Sequence, residues 1–123
     1  MKKVTLLRYK IEETGEASEP YLVMLYSPKG RVVHEADDVG VAMTEAMQKL
    51  LKENGVVLNG TMPQVSIKSA SLKLRVGWVL VYTACVASSE SEEVHQFSGA
   101  VLLLALKRAL RSMQVDLELP CVH

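Results

Sequence analysis

The sequence predicts an α+β fold of two similar halves, each β-β-β-α, with antiparallel sheets packed against two helices. Three observations carry this expectation. Apolar residues alternate with period two in several short segments, the period changes twice to that of a helix, and the order strands-then-helix recurs at an offset of about sixty residues. The expected halves run over about 1–58 and 59–115 of a single domain at 1–123, with an irregular tail at 116–123.

Val4 to Ile11 reads as one strand, with Thr5, Leu7, Tyr9 and Ile11 on one side and Val4, Leu6, Arg8 and Lys10 on the other. Glu12 to Pro20 is a polar loop, and Tyr21 to Tyr26 is the second strand. Ser27-Pro28-Lys29-Gly30 is a turn, because proline fixes φ at its second position and glycine tolerates the backbone that closes it. Arg31 to Glu35 returns as the third strand. Val39, Ala42, Met43, Ala46, Met47, Leu50 and Leu51 then form an unbroken helical stripe. Thr44, Glu45, Gln48, Lys49, Lys52 and Glu53 fall on its polar face. Asp37 or Asp38 caps its start, and Asn54-Gly55 ends it.

Gly55 to Pro63 connects the halves, with Val56, Val57 and Leu58 expected to pack. Val65, Ile67 and Ser69 alternate with Ser66, Lys68 and Ala70. Trp78 to Ala87 is nearly continuous in β-branched and aromatic residues, the pattern of a central strand covered on both faces. The turn between these strands falls near Ser69–Ser71 or near Val76-Gly77. Ser88 to Glu92 reads as a polar turn, Val94 to Phe97 as a short strand, and Ser98 as the cap of a helix ending near Met113. That helix is apolar all round from Ala100 to Leu106, so more than one of its sides must be covered. Either it packs between a sheet and the first helix, or it forms a subunit interface through Val101, Leu103 and Leu104.

About half of the 123 residues are apolar, and 14 basic residues cancel 14 acidic ones. The first half, to Met62, carries 8 positive and 9 negative residues, and the second carries 6 and 5. Neither has the basic excess of a phosphate-backbone binder, so nucleic acid is not the expected partner. Cys85 and Cys121 lie far apart, and reduced thiols are expected. The N-terminus enters an alternating pattern at once, unlike a signal peptide. The longest apolar run, Gly99 to Leu106, is far short of the ~20 residues of a membrane span. No membrane partner and a cytoplasmic location are expected.

Residues that often carry chemistry have structural explanations here. His34 and His95 end equivalent strands without ligand spacing around them, and His123 is terminal. Asp37 and Asp38 suit a helix start, and Lys107, Arg108 and Arg111 suit a helix end. No phosphate-binding glycine loop and no nucleophile motif occurs. The chain is therefore expected to be non-enzymatic, with no cofactor and no metal.

Ala36-Asp37-Asp38-Val39-Gly40-Val41-Ala42, continuing into Met43-Thr44-Glu45-Ala46-Met47, resembles a G-D-G-P-V-D-A-x-x-x-A-[LI] motif, with Asp37, Ala42 and Ala46 agreeing. Val65-Ser66-Ile67-Lys68-Ser69 resembles Y-S-V-K-A. Val101 to Leu110 resembles A-x-x-x-A-x-x-x-A-[LIN] through Ala105 and Ala109. Together these are similar to the regulatory domain of the α-isopropylmalate synthase family. The resemblance implies a homodimer that binds an amino-acid-like metabolite such as leucine, acting as a stand-alone domain on a partner enzyme. The implied ligand residues are Asp37, Asp38, Val39, Gly40, Ala42, Ser98 and Gly99, where helix N–H groups would face a carboxylate. Two other readings stand beside it. One is a protein-interaction module that regulates a larger partner without a small ligand. The other, less favoured by the neutral charge, is a relative of double-stranded-RNA-binding domains.

Overall fold

The computed structural model of the chain describes residues 2–58, 60, 62–86, 91–94 and 99–120. The elements run β1 (Lys2–Thr5), β2 (Arg8–Glu13), β3 (Tyr21–Ser27), β4 (Gly30–Ala36), α1 (Val39–Glu53), β5 (Val65–Leu74), β6 (Gly77–Val86), β7 (Ser91–Val94), α2 (Gly99–Arg111) and β8 (Val115–Glu118). Two antiparallel three-stranded sheets, β2-β3-β4 and β5-β6-β7, each lead into a helix. This is the expected α+β arrangement of two β-β-β-α units.

The first expected strand is two. β1 pairs in parallel with β8, whereas β2 pairs antiparallel with β3. The switch lies at Leu6-Leu7: the Leu6 N–H donates to the Glu118 carbonyl at 2.8 Å and the Leu7 N–H to the Tyr26 carbonyl at 2.7 Å. Val4 and Leu6 are buried before the switch, and Tyr9 and Ile11 pack on the core after it. The buried face thus changes phase, which an unbroken alternation of residue types conceals.

β8 corrects the expectation of an irregular tail. Val115 and Leu117 point into the core and alternate with Asp116 and Glu118. Pro120, which suggested a loop, lies just beyond the strand's end, where no ladder N–H is required. β7 covers Ser91–Val94, so Ser91 and Glu92, expected in a turn, lie in a strand, while residues 95–97 of the expected strand lie outside the described residues. It is an outer strand of its sheet. The β5–β6 turn falls at Arg75-Val76, the second of the two expected positions.

α1 lays the predicted stripe, from Ala42 to Leu51, on β3 and β4. Its C-terminus is a Schellman motif: the Gly55 N–H donates to the Lys52 carbonyl and the Val56 N–H to the Leu51 carbonyl. Gly55 takes φ +75°, the left-handed conformation that favours glycine. α1 also buries Gly40 and Thr44, on a second face the stripe did not include. The reason is β5, which crosses that face. α2 touches α1, β5, β6 and β8, and buries Leu102, Leu103, Ala105, Leu106, Ala109 and Leu110. Residues from both halves and from β1 and β8 share one buried cluster.

Candidate functional site

The start of α1 is the first place where the sequence suggests a ligand. Asp38 is its N-cap, with extended backbone and a side-chain Oδ1 that accepts from the Val41 N–H at 3.1 Å. The Asp38 carbonyl accepts from the Ala42 N–H at 3.0 Å. Asp37 is exposed, Val39 is half-buried and Ala42 lies in the core. A Cβ built on Gly40 would stand 1.9 Å from the Val65 carbonyl oxygen. The close backbone approach that this glycine permits is therefore made by the chain's own strand β5. One turn on, the buried Thr44 Oγ1 accepts from the Val65 N–H at 3.3 Å. Gly40 and Thr44 together form a seat for the first residue of β5.

Gly99 opens α2, while Ser98, its expected cap, lies outside the described residues. Of the expected interface, Leu103 is buried within the chain and Leu104 is 40% exposed. The side chain of Val101 is not among those described. Leu104 stands in line with the exposed Arg108 and Arg111, so α2 turns a narrow stripe to solvent. His34 on β4 pairs with Glu45 on α1, whereas His95, His123 and Cys121 lie outside the described residues. Among the described residues no three His, Cys, Asp or Glu side chains come together as a metal site.

A cleft of about 320 Å³ opens between the C-terminal half of α1 and the link after it. Leu51, Val56, Leu58 and Met62 form its apolar wall, and Gln48 and Lys52 supply polar ends. Val57, which the sequence suggests should pack, is instead 88% exposed beside it.

The largest departure from expectation is at the far end of the β5–β6 hairpin. The sequence suggests that Trp78 begins a strand covered on both faces, yet Trp78 is 70% exposed. Val76 is 90% exposed and Leu74 46% exposed, so three large apolar residues within five positions meet solvent at the tip, Leu74 on the face opposite Trp78. Val65, at the other end of the hairpin, is buried, so the hairpin is rooted in the core and its tip projects. Lys73 is the cross-strand partner of Trp78, and its ammonium lies 6.0 Å from the ring centroid. Arg75 forms the turn itself and is exposed. Gly77, at φ +127°, gives the backbone conformation that closes the hairpin there. A lone tryptophan beside a turn glycine is the sequence signal for this tip, and the apolar run after it, which resembles a core strand, masks it.

Among the described residues no buried side-chain polar atom lacks a hydrogen-bond partner. Glu118 on β8 accepts from Thr5 Oγ1 at 2.9 Å and binds the Lys3 ammonium at 2.8 Å. The hydrogen bond from Lys3, then that from Thr5, lowers the Glu118 carboxyl pKa, and the same bond raises that of Lys3. No helix is long and apolar enough to cross a membrane among the described residues. Compared with protein-family models, with curated proteins and with solved structures, the chain matches none.

Proposed function

We propose that this chain is a non-catalytic protein-interaction module whose working surface is the tip of the β5–β6 hairpin. The observation that supports this reading is the exposure of Trp78, Val76 and Leu74 on one projecting turn. Exposed apolar groups are ordinary when scattered, but a cluster on a projecting element favours removal from water by a partner. Tryptophan and arginine are also the residue types that most often dominate binding energy at interfaces. A photo-crosslinking residue at Val76 tests the reading in cells. The expected product is a defined protein adduct that disappears when Trp78→Ala is added. Absence of any protein adduct at Val76 would refute it.

A second reading, a module that senses a small metabolite, draws on the cleft beside α1. Its apolar wall fits an aliphatic chain, and the Lys52 ammonium and Gln48 amide fit a carboxylate at its end. On this reading the amino-acid-like ligand would sit away from Asp38 and Gly40. A branched-chain amino or keto acid should then raise the melting temperature, and Lys52→Ala should abolish the rise. An undiminished rise in Lys52→Ala would remove the cleft as the site.

A further inference from the structure

The two hairpins that head the two halves carry opposite charge. From Ile11 to Pro28 the sequence has Glu12, Glu13, Glu16 and Glu19 and no lysine or arginine. From Gln64 to Val86 it has Lys68, Lys73 and Arg75 and no aspartate or glutamate. A net charge of zero hides this separation. Glu12 is paired with Lys10 at 2.7 Å. The exposed carboxylates of Glu13, Glu16 and Glu19 have no ion pair within the described residues, and neither has Arg75. Among the described residues, Lys73 meets the Trp78 ring.

Each charged end also carries apolar surface. At the β2–β3 end, Tyr21 stands opposite Glu13 and Leu22 opposite Glu12 in the strand register. Pro20, Tyr21 and Leu22 are half-buried there, with Tyr21 on the face of the core residues Val23 and Leu25 and Leu22 on the other. At the β5–β6 end, Leu74, Val76 and Trp78 are exposed beside Lys73 and Arg75. One end is acidic with half-buried apolar residues at its root, and the other is basic beside exposed apolar residues. Unpaired charges of one sign repel a like surface and steer an opposite one into register.

We infer that the occupant of the β5–β6 tip is a second copy of this chain, which receives the tip on its β2–β3 hairpin end. This rests on the interaction-module reading and names its partner. Every copy carries both the tip and its receiver, so the contact is head-to-tail. Two reciprocal contacts would close a pair, and a single contact per neighbour would build a longer assembly.

Charge reversal gives the test. Lys73→Glu with Arg75→Glu makes both ends acidic, and Glu13→Lys with Glu16→Lys and Glu19→Lys makes both basic. Solution mass is measured by sedimentation from about 1 µM to about 1 mM, spanning weak to moderate affinity. The wild type should associate, and raising salt from about 0.05 M to about 0.5 M should weaken it at least ~10-fold as screening shortens. Each variant alone should be monomeric with an unchanged melting profile. Mixed in equal amounts, the two should associate again, because each then offers the other an opposite charge at both ends. Recovery in the mixture also shows that both variants are folded.

A monomeric wild type throughout the range would overturn the inference, as would association that neither reversal weakens or a mixture that stays monomeric. Trp78 is the only tryptophan in the sequence, so its emission reports on the tip alone. A blue shift with anionic vesicles, in a protein that stays monomeric, would overturn the second copy in favour of a lipid surface. A monomeric protein whose Val76 crosslinks to a different protein would sink the self-contact and leave the interaction module standing. Failure of Val76 to crosslink to any protein would sink both.

Discussion

At the scale of single residues, the most informative position is Gly40. A helix N-terminus with glycine in its first turn suggests room for a ligand, and the sequence motif around Asp37 and Asp38 points the same way. The room is occupied: the Val65 carbonyl stands where a Cβ would go, and the Asp38 carboxylate already accepts from the Val41 N–H. Gly40→Ala gains about 1 kcal/mol of helix propensity, yet it forces α1 away from β5 backbone that has no flexible end to yield. The expected net loss of stability is about 2 kcal/mol, read by chemical denaturation. Thr44→Val keeps the shape but leaves the Val65 N–H without its acceptor, for an expected loss of about 1–3 kcal/mol. If both variants matched the wild type, α1 would not be seated on β5 as described.

At the scale of elements, α2 separates what the residue pattern makes plain from what it leaves open. Its apolar girdle from Ala100 to Leu106 required cover on more than one side, and α1, β5, β6 and β8 supply it. The pattern could not divide core from interface, because an apolar residue reads alike in either. Leu103 proves to be core, and Leu104 lies in the stripe with Arg108 and Arg111. Leu104→Glu should therefore fold normally, change stability by no more than about 0.5 kcal/mol, and leave the solution mass as it was. A loss of mass would return the subunit contact to α2 and away from the hairpins. The α1 stripe was legible because its period is long and unbroken, and so was the Asn54-Gly55 stop. β8 was not, since Val115-Asp116-Leu117-Glu118 is four residues long and its partner lies at the other end of the chain. The exposure of Trp78 is not legible for a related reason: burial of a strand depends on how far the hairpin outruns its cover, which residue types alone do not specify.

At the scale of the whole molecule, β1 and β8 close the chain on itself. Thr5 and Glu118 are separated by 113 positions, and their hydrogen bond joins the first described strand to the last. Contacts so distant in sequence form only after the loop-closure entropy of the intervening chain has been overcome. The ladder and the burial of Val4, Leu6, Val115 and Leu117 supply most of the compensation. The Lys3–Glu118–Thr5 cluster adds a pH-dependent share, modest because it is exposed to solvent. Glu118 has a folded pKa below its unfolded value, so its contribution is complete above the unfolded value and disappears as pH falls through the folded one. Lys3 has a raised folded pKa, so its share is complete below its unfolded value and fades only as pH rises through the folded one. Both contributions are therefore in place at neutral pH, and the acid side is where the clasp weakens. Thermal melts below about pH 4 should show the wild type losing stability more steeply than Glu118→Gln, which has no carboxylate to protonate. Protection of the Leu6 amide, taken relative to its intrinsic exchange rate at each pH, should fall over the same range, since its N–H bonds to the Glu118 carbonyl. Parallel acid slopes for the two proteins would mean that the clasp contributes no pH dependence, and that β1 and β8 are held by their ladder and apolar faces alone.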